Sequence, residues 1–184
     1  TNTYDGSTWS SAPGSATSAE GGVSTGTQSA TIYNGGYIAS PYGATAVTQE
    51  FNGSTWSAGG ALINTRASMA ADGSQNSAFA AGGWVPGDSA LTEHYDGSSW
   101  SAGGNTIESG YFSGTAGTEY AALTFGGDGR TDCTEEYYGE TWAASGALIT
   151  ARAQGMAGFG LQNAALAAGG REGAGSDDLA DTEE

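Results

Sequence analysis

The 184-residue sequence predicts an all-β fold of repeated four-stranded antiparallel sheets, and three observations carry that reading. The stretch Tyr-Asp-Gly-Ser-Thr-Trp at residues 4–9 returns in related form at 51–56, 95–100 and 137–142, which spaces Trp9, Trp56, Trp100 and Trp142 by 47, 44 and 42 positions. Each copy is followed by a glycine pair, at Gly35-Gly36, Gly82-Gly83, Gly126-Gly127 and Gly169-Gly170. Each unit also carries two hairpin signals, hence four short strands. Four-stranded sheets recurring every ~40–50 residues are the mark of β-propeller blades. The simplest reading is a single domain over 1–184, four-bladed, with repeat units at 4–50, 51–94, 95–136 and 137–184.

The elements follow in chain order. In the first hairpin of a unit the turn is Asp5-Gly6, Asn52-Gly53 or Asp96-Gly97, which predicts a type I′ turn with positive φ at both central residues. Unit four reads Tyr138-Gly139, and its turn is expected to be strained or of another type. The sequon Asn52-Gly53-Ser54 is read as the same turn with Asn for Asp. A second hairpin turns at 72–76, 117–119 and 160–163, and the strand leading to each Gly-Gly is rich in small residues, as crowded inner strands require. The four repeat Trp residues are expected to pack between blades. The glycines Gly36, Gly83, Gly127 and Gly170 mark the same structural position in each copy.

An apolar strand ending in Gly-Gly, a variable loop, Tyr-x-x-x-x-Trp and a downstream Arg resemble the kelch repeat, as in residues 78–83 and 95–100 with Arg66 and Arg152 ten positions after Trp56 and Trp142. The resemblance spans the chain and implies a propeller, while kelch propellers serve as enzymes, scaffolds and recognition modules alike. The Arg position reads Ala19 and Gly110 in units one and three, so an Arg contact between blades is expected in half of them. No Gly-His…Trp-Asp pair of the WD repeat occurs. The wording of residues 95–104 and 134–137 also resembles Gly/Ser/Thr-rich kelch-like repeats of bacteriophage virion-associated proteins, which implies an extracellular or virion surface.

Composition narrows function mainly by exclusion. Twenty acids face four bases, all Arg, for a net charge of −16, which repels phosphate backbones and anionic lipids, so neither nucleic acid nor membrane insertion is expected. No run of apolar residues is long enough to span a bilayer as a helix. One cysteine, Cys133, and one histidine, His94, supply neither an intrachain disulfide nor a His-rich metal site, and His94 reads as a surface substitution at a repeated Glu slot. No catalytic residue is assigned. Paired acids such as Glu135-Glu136 point to opposite faces of a strand, so a polysaccharide-acting glycosidase or lyase is the alternative. No cofactor is expected; the acidic loops 127–132 and 173–178 carry oxygens of the kind Ca²⁺ takes, without the spaced pattern of an EF-hand.

The loops after each Gly-Gly vary most, and Tyr37, Tyr42, Trp84, Asp128 and Arg130 are the candidate binding residues. Loop aromatics beside hydroxyl-rich neighbours suit sugar stacking or protein anchoring. The expected function is a non-enzymatic module of a phage fibre, tail appendage or capsid decoration, binding a host glycan or a neighbouring virion or surface protein, with homo-oligomers allowed. A secreted bacterial adhesin is a further alternative.

Overall fold

The computed structural model describes residues 1–39, 42–128, 132–172 and 178–184, none of them helical. The chain opens with a lone hairpin, β1 (Asn2–Tyr4) and β2 (Trp9–Ser11). The first full sheet follows as β3 (Val23–Thr27), β4 (Ala30–Asn34), β7 (Thr48–Phe51) and β8 (Trp56–Ala58), interrupted by a small hairpin of β5 (Tyr37–Ala39) and β6 (Tyr42–Ala44). The second is β9 (Ala70–Ser74), β10 (Ser77–Ala81), β11 (Thr92–Tyr95) and β12 (Trp100–Ala102), and the third β13 (Gly114–Thr118), β14 (Ala121–Phe125), β15 (Thr134–Tyr137) and β16 (Trp142–Ala144). The last sheet has three strands, β17 (Arg152–Leu161), β18 (Ala164–Glu172) and β19 (Thr182–Glu183). All pairings are antiparallel meanders, and the four sheets form a four-bladed β-propeller.

In each of the three full sheets the two inner strands and most of the third come from one sequence unit, and the outermost strand comes from the next. Among the described residues β1 and β2 form a two-stranded sheet, and β17, β18 and β19 a three-stranded one. The innermost strands pack in the order β3, β9, β13, β17, and no comparable packing joins β17 to β3.

The glycine pairs make the seams. The first glycine amide bonds within its own sheet, as Gly82 N–H to Leu91 O at 2.9 Å. The second bonds to the next unit: Gly36 to Arg66 O, Gly83 to Gly110 O and Gly127 to Arg152 O, at 2.8–2.9 Å. Gly83 has φ of +102°, and a Cβ there would sit 2.6 Å from Met69 Cγ, so no other residue fits.

A second repeated device anchors the loop that enters each inner strand. Gln49 accepts from the amides of Ala16 and Thr17, Glu93 from Ile63 and Asn64, Glu135 from Ile107 and Glu108, and Glu183 from Ile149 and Thr150. Where the Arg is present it joins this group. The buried Arg66 guanidinium donates to Gly82 O and Leu91 O and pairs with Glu93 at 2.9 Å, and Arg152 does the same with Gly169 O, Asp181 O and Glu183. The Arg side chain therefore braces its own sheet, not a contact between blades. In units one and three Gln49 and Glu135 hold the same two loop amides.

Three further expectations are corrected. The Asp-Gly turns are not type I′: Gly97 has φ of +92°, but Asp96 is not among the residues with positive φ. Its carboxylate instead accepts from the amides of Ser98 and Ser99, both at 2.8 Å, and this local bonding closes a four-residue loop. Asp5 and Asn52 do likewise. Tyr138-Gly139 keeps the same backbone, with Gly139 at φ of +87° and a Tyr138 N–H to Thr141 O bond of 3.0 Å, so its turn is not of another type.

The Trp expectation holds for two copies. Trp100 and Trp142 are 7% exposed, and their indole N–H groups reach back to Thr48 and Thr92 of the preceding sheet. Trp56 is half-buried, donating to Thr1 and Pro13. Trp9 is 72% exposed. His94 is the third correction. It is buried between the rings of Tyr120 and Tyr137, with Nε2 2.7 Å from the Tyr137 hydroxyl and Nδ1 facing Glu119 at 3.5 Å.

Candidate functional site

The residue after each glycine pair adds one rung above its sheet: Tyr37 pairs with Glu20, Trp84 with Ala67 and Asp128 with Tyr111. One position further, the backbone runs from blade to blade around the axis, with Ser68 N–H to Gly21 O at 2.7 Å and Phe112 N–H to Ser68 O at 2.8 Å. Ser68 and Phe112 have φ of 55° and 56°, a left-handed conformation that costs a non-glycine residue ~1–3 kcal/mol and tends to gather at functional sites. Here the strain aims consecutive loops at one end of the axis.

Below this ring lies a cavity of about 350 Å³ lined by residues from or just before all four inner strands, including Ser24, Met69, Thr115 and Met156. Among the described residues its lining is hydroxyls, thioethers and small apolar groups.

The charged and aromatic groups stand around it. The rings of Tyr37 and Trp84 lie 5.6 Å apart at 49°, each half-buried, so that two successive blades present one angled aromatic surface. Tyr111 continues the arc with its ring 5.0 Å from that of the exposed Phe112. The Tyr111 phenol is pushed above its ordinary pKa first by burial and then by its hydrogen bond to Asp128, with the charge of Asp88 and nearby Tyr37 adding to the shift. Gln154 holds the other side of Asp128, donating to Oδ2 at 2.8 Å.

Of the sequence candidates, Tyr37 and Trp84 therefore meet directly, and Asp128 joins them through Tyr111. Arg130 and the side chain of Tyr42 lie outside the described residues. Sequence reasoning missed Tyr111, Phe112, Asp88 and Gln154. Tyr111 and Phe112 follow Gly110, where the repeat has its Arg, and only their being aromatic where other copies carry Glu20-Gly21 and Ala67-Ser68 marks them. Among the described residues no cluster of three or more His, Cys, Asp or Glu is arranged to hold a metal ion.

No protein-family model and no curated protein matches the sequence. Among solved structures, "Structure of YjhT", of a propeller protein, superimposes with a TM-score of 0.73 at 15% identity, over 88% of this chain and 64% of that one. This chain thus spans less than two thirds of the length of that neighbour. At this identity the likeness establishes the β-propeller fold and nothing about activity.

Proposed function

We propose that this protein is a non-enzymatic recognition module of the kelch-like propeller type that binds carbohydrate at the Tyr37–Trp84–Tyr111 end of its axis. The observation that carries the reading is the arc itself: paired aromatic faces beside Asp88 and Asp128, above a cavity whose described lining is uncharged. Aromatic faces stack on the apolar faces of sugar rings, and carboxylates accept from sugar hydroxyls. The phage-like wording of the repeats, with the acidic, Lys-free surface, favours a virion fibre, tail appendage or capsid decoration whose ligand is a host glycan.

A glycan array followed by calorimetry tests this. A binding glycan is expected, with Trp84→Ala weakening it about tenfold or more. Turnover of a bound polysaccharide, abolished by Asp88→Asn or Asp128→Asn, would replace the module with an enzyme. Capsid or tail genes beside the coding sequence support the virion assignment, and a secretion or sorting signal the adhesin.

A further inference from the structure

We propose, resting on the carbohydrate reading above, that the aromatic arc selects glycans carrying free, protonated amines, as in a deacetylated amino-sugar chain. The observation that carries this is a pairing that recurs on three consecutive blades. Each sets an aromatic residue opposite an acid in a single antiparallel bridge: Tyr37 with Glu20, Trp84 with Asp88 and Tyr111 with Asp128. Residues opposed in this way project from the same face, so each ring shares its face with a carboxylate.

Local sequence builds the pairs. Pro86-Gly87 is a turn signal, and Val85 N–H donates to Gly87 O at 3.0 Å with Gly87 at φ of +116°, so the loop folds back and brings Asp88 opposite Trp84. Tyr111 lies in the loop before β13 and Asp128 in the loop after β14 of the same sheet, where the Tyr111 hydroxyl donates to the Asp128 carboxylate. Successive blades then join the pairs. The rings of Tyr37 and Trp84 meet at 5.6 Å, and the charge of Asp88 reaches the Tyr111 phenol.

Among the described residues no base neutralises these acids. Arg66 and Arg152 are buried and bonded to carbonyls and acids of their own sheets, and Arg171 engages Asp178 at 3.3 Å. An anionic sugar would be repelled, and a neutral one would stack without supplying a counter-charge. An ammonium group gains twice, from the carboxylate and from the electron-rich face of the ring beside it. One unmet hydrogen bond lies at the same place. Ser68 is 4% exposed, and its hydroxyl has no partner among the described residues. It stands next to Tyr37, since a Cβ added to Gly21 would lie 3.4 Å from both Ser68 Oγ and Tyr37 Cδ2. A donor entering beside Tyr37 would satisfy it. One aromatic–acid pair per blade also suits a polymer with one amine per sugar, so affinity should rise with chain length as further pairs are engaged.

Calorimetry with glucosamine oligomers and their N-acetylated counterparts of equal length tests the proposal. The free amines are expected to bind about tenfold tighter or more, an advantage that shrinks with added salt. Asp88→Asn, at an exposed side chain, should remove most of that preference with an unchanged circular dichroism spectrum. Trp84→Leu keeps apolar bulk without a π face and should weaken the amine-bearing chain more than the acetylated one. Spermine supplies amines without sugar rings. Equal affinity for spermine, or a preference that survives both substitutions, would mean that the overall acidity of the chain is being read, and overturns the proposal. Equal binding of the free and acetylated chains, or binding of neither while other glycans bind on the array, overturns the amine selectivity and leaves the carbohydrate reading standing. Binding of no glycan at all overturns both.

Discussion

Arg66, in the loop that enters β9, and Glu93 of β11 bury opposite charges, and each makes several hydrogen bonds. Removing one partner leaves the other charged and buried. Arg66→Ala is therefore expected to cost about 3–5 kcal/mol in chemical denaturation. An indifferent Arg66→Ala would mean that the loop is held by the Glu93 amide bonds alone. His94 sets a pH limit of a different kind. Burial holds its pKa below the ordinary value, against a smaller opposing pull from Glu119. The folded state keeps the ring neutral while the unfolded chain takes up a proton near pH ~6.5, so this part of the stability is present above that pH and lost on acidification. Melting temperature should fall between pH 7 and pH 5 by more in the wild type than in His94→Gln; equal losses would assign the effect to other groups. Nothing in the sequence distinguished His94 from the Glu residues that share its slot. Its burial depends on Tyr120 and Tyr137, which only strand pairing brings beside it.

At the level of elements, the same hairpin occurs in four settings, and its energetics follow the setting. Trp100→Ala, in a packed and hydrogen-bonded site, is expected to cost about 3–5 kcal/mol, while Trp9→Ala should cost under ~1 kcal/mol in the monomer. Comparable losses at the two positions would mean that the exposed hairpin is seated in solution. The tip is tuned by its Asx bond: donation from the Ser99 amide, then from Ser98, lowers the Asp96 carboxyl to about 2. Strand content, hairpin order and the Gly-Gly positions were all legible in the sequence, because alternation and turn chemistry are local. The register of each pairing was not, because pairing across a unit boundary leaves no mark within either unit. The candidate site was half legible for the same reason: Tyr37 and Trp84 follow a repeated signal, whereas Tyr111 belongs to the arc only through its place opposite Asp128.

For the whole molecule, the net charge of −16 on 184 residues sets the solvent response. Self-repulsion among the acids outweighs the few ion pairs, so added salt should raise the melting temperature through screening. A fall with salt would give the ion pairs the larger share. Packing runs from each inner strand to the next in sequence, so protection from hydrogen exchange is expected to be highest in β9 to β15 and to decline toward both ends. Because the seam amides of Gly36, Gly83 and Gly127 each reach forward to a main-chain carbonyl, adhesion between blades depends little on which side chain follows. A gene that gained or lost one whole period would cut and rejoin like tiles of a single mould. Copy number can thus drift between lineages without a new folding problem, while the residues after each glycine pair are free to diversify.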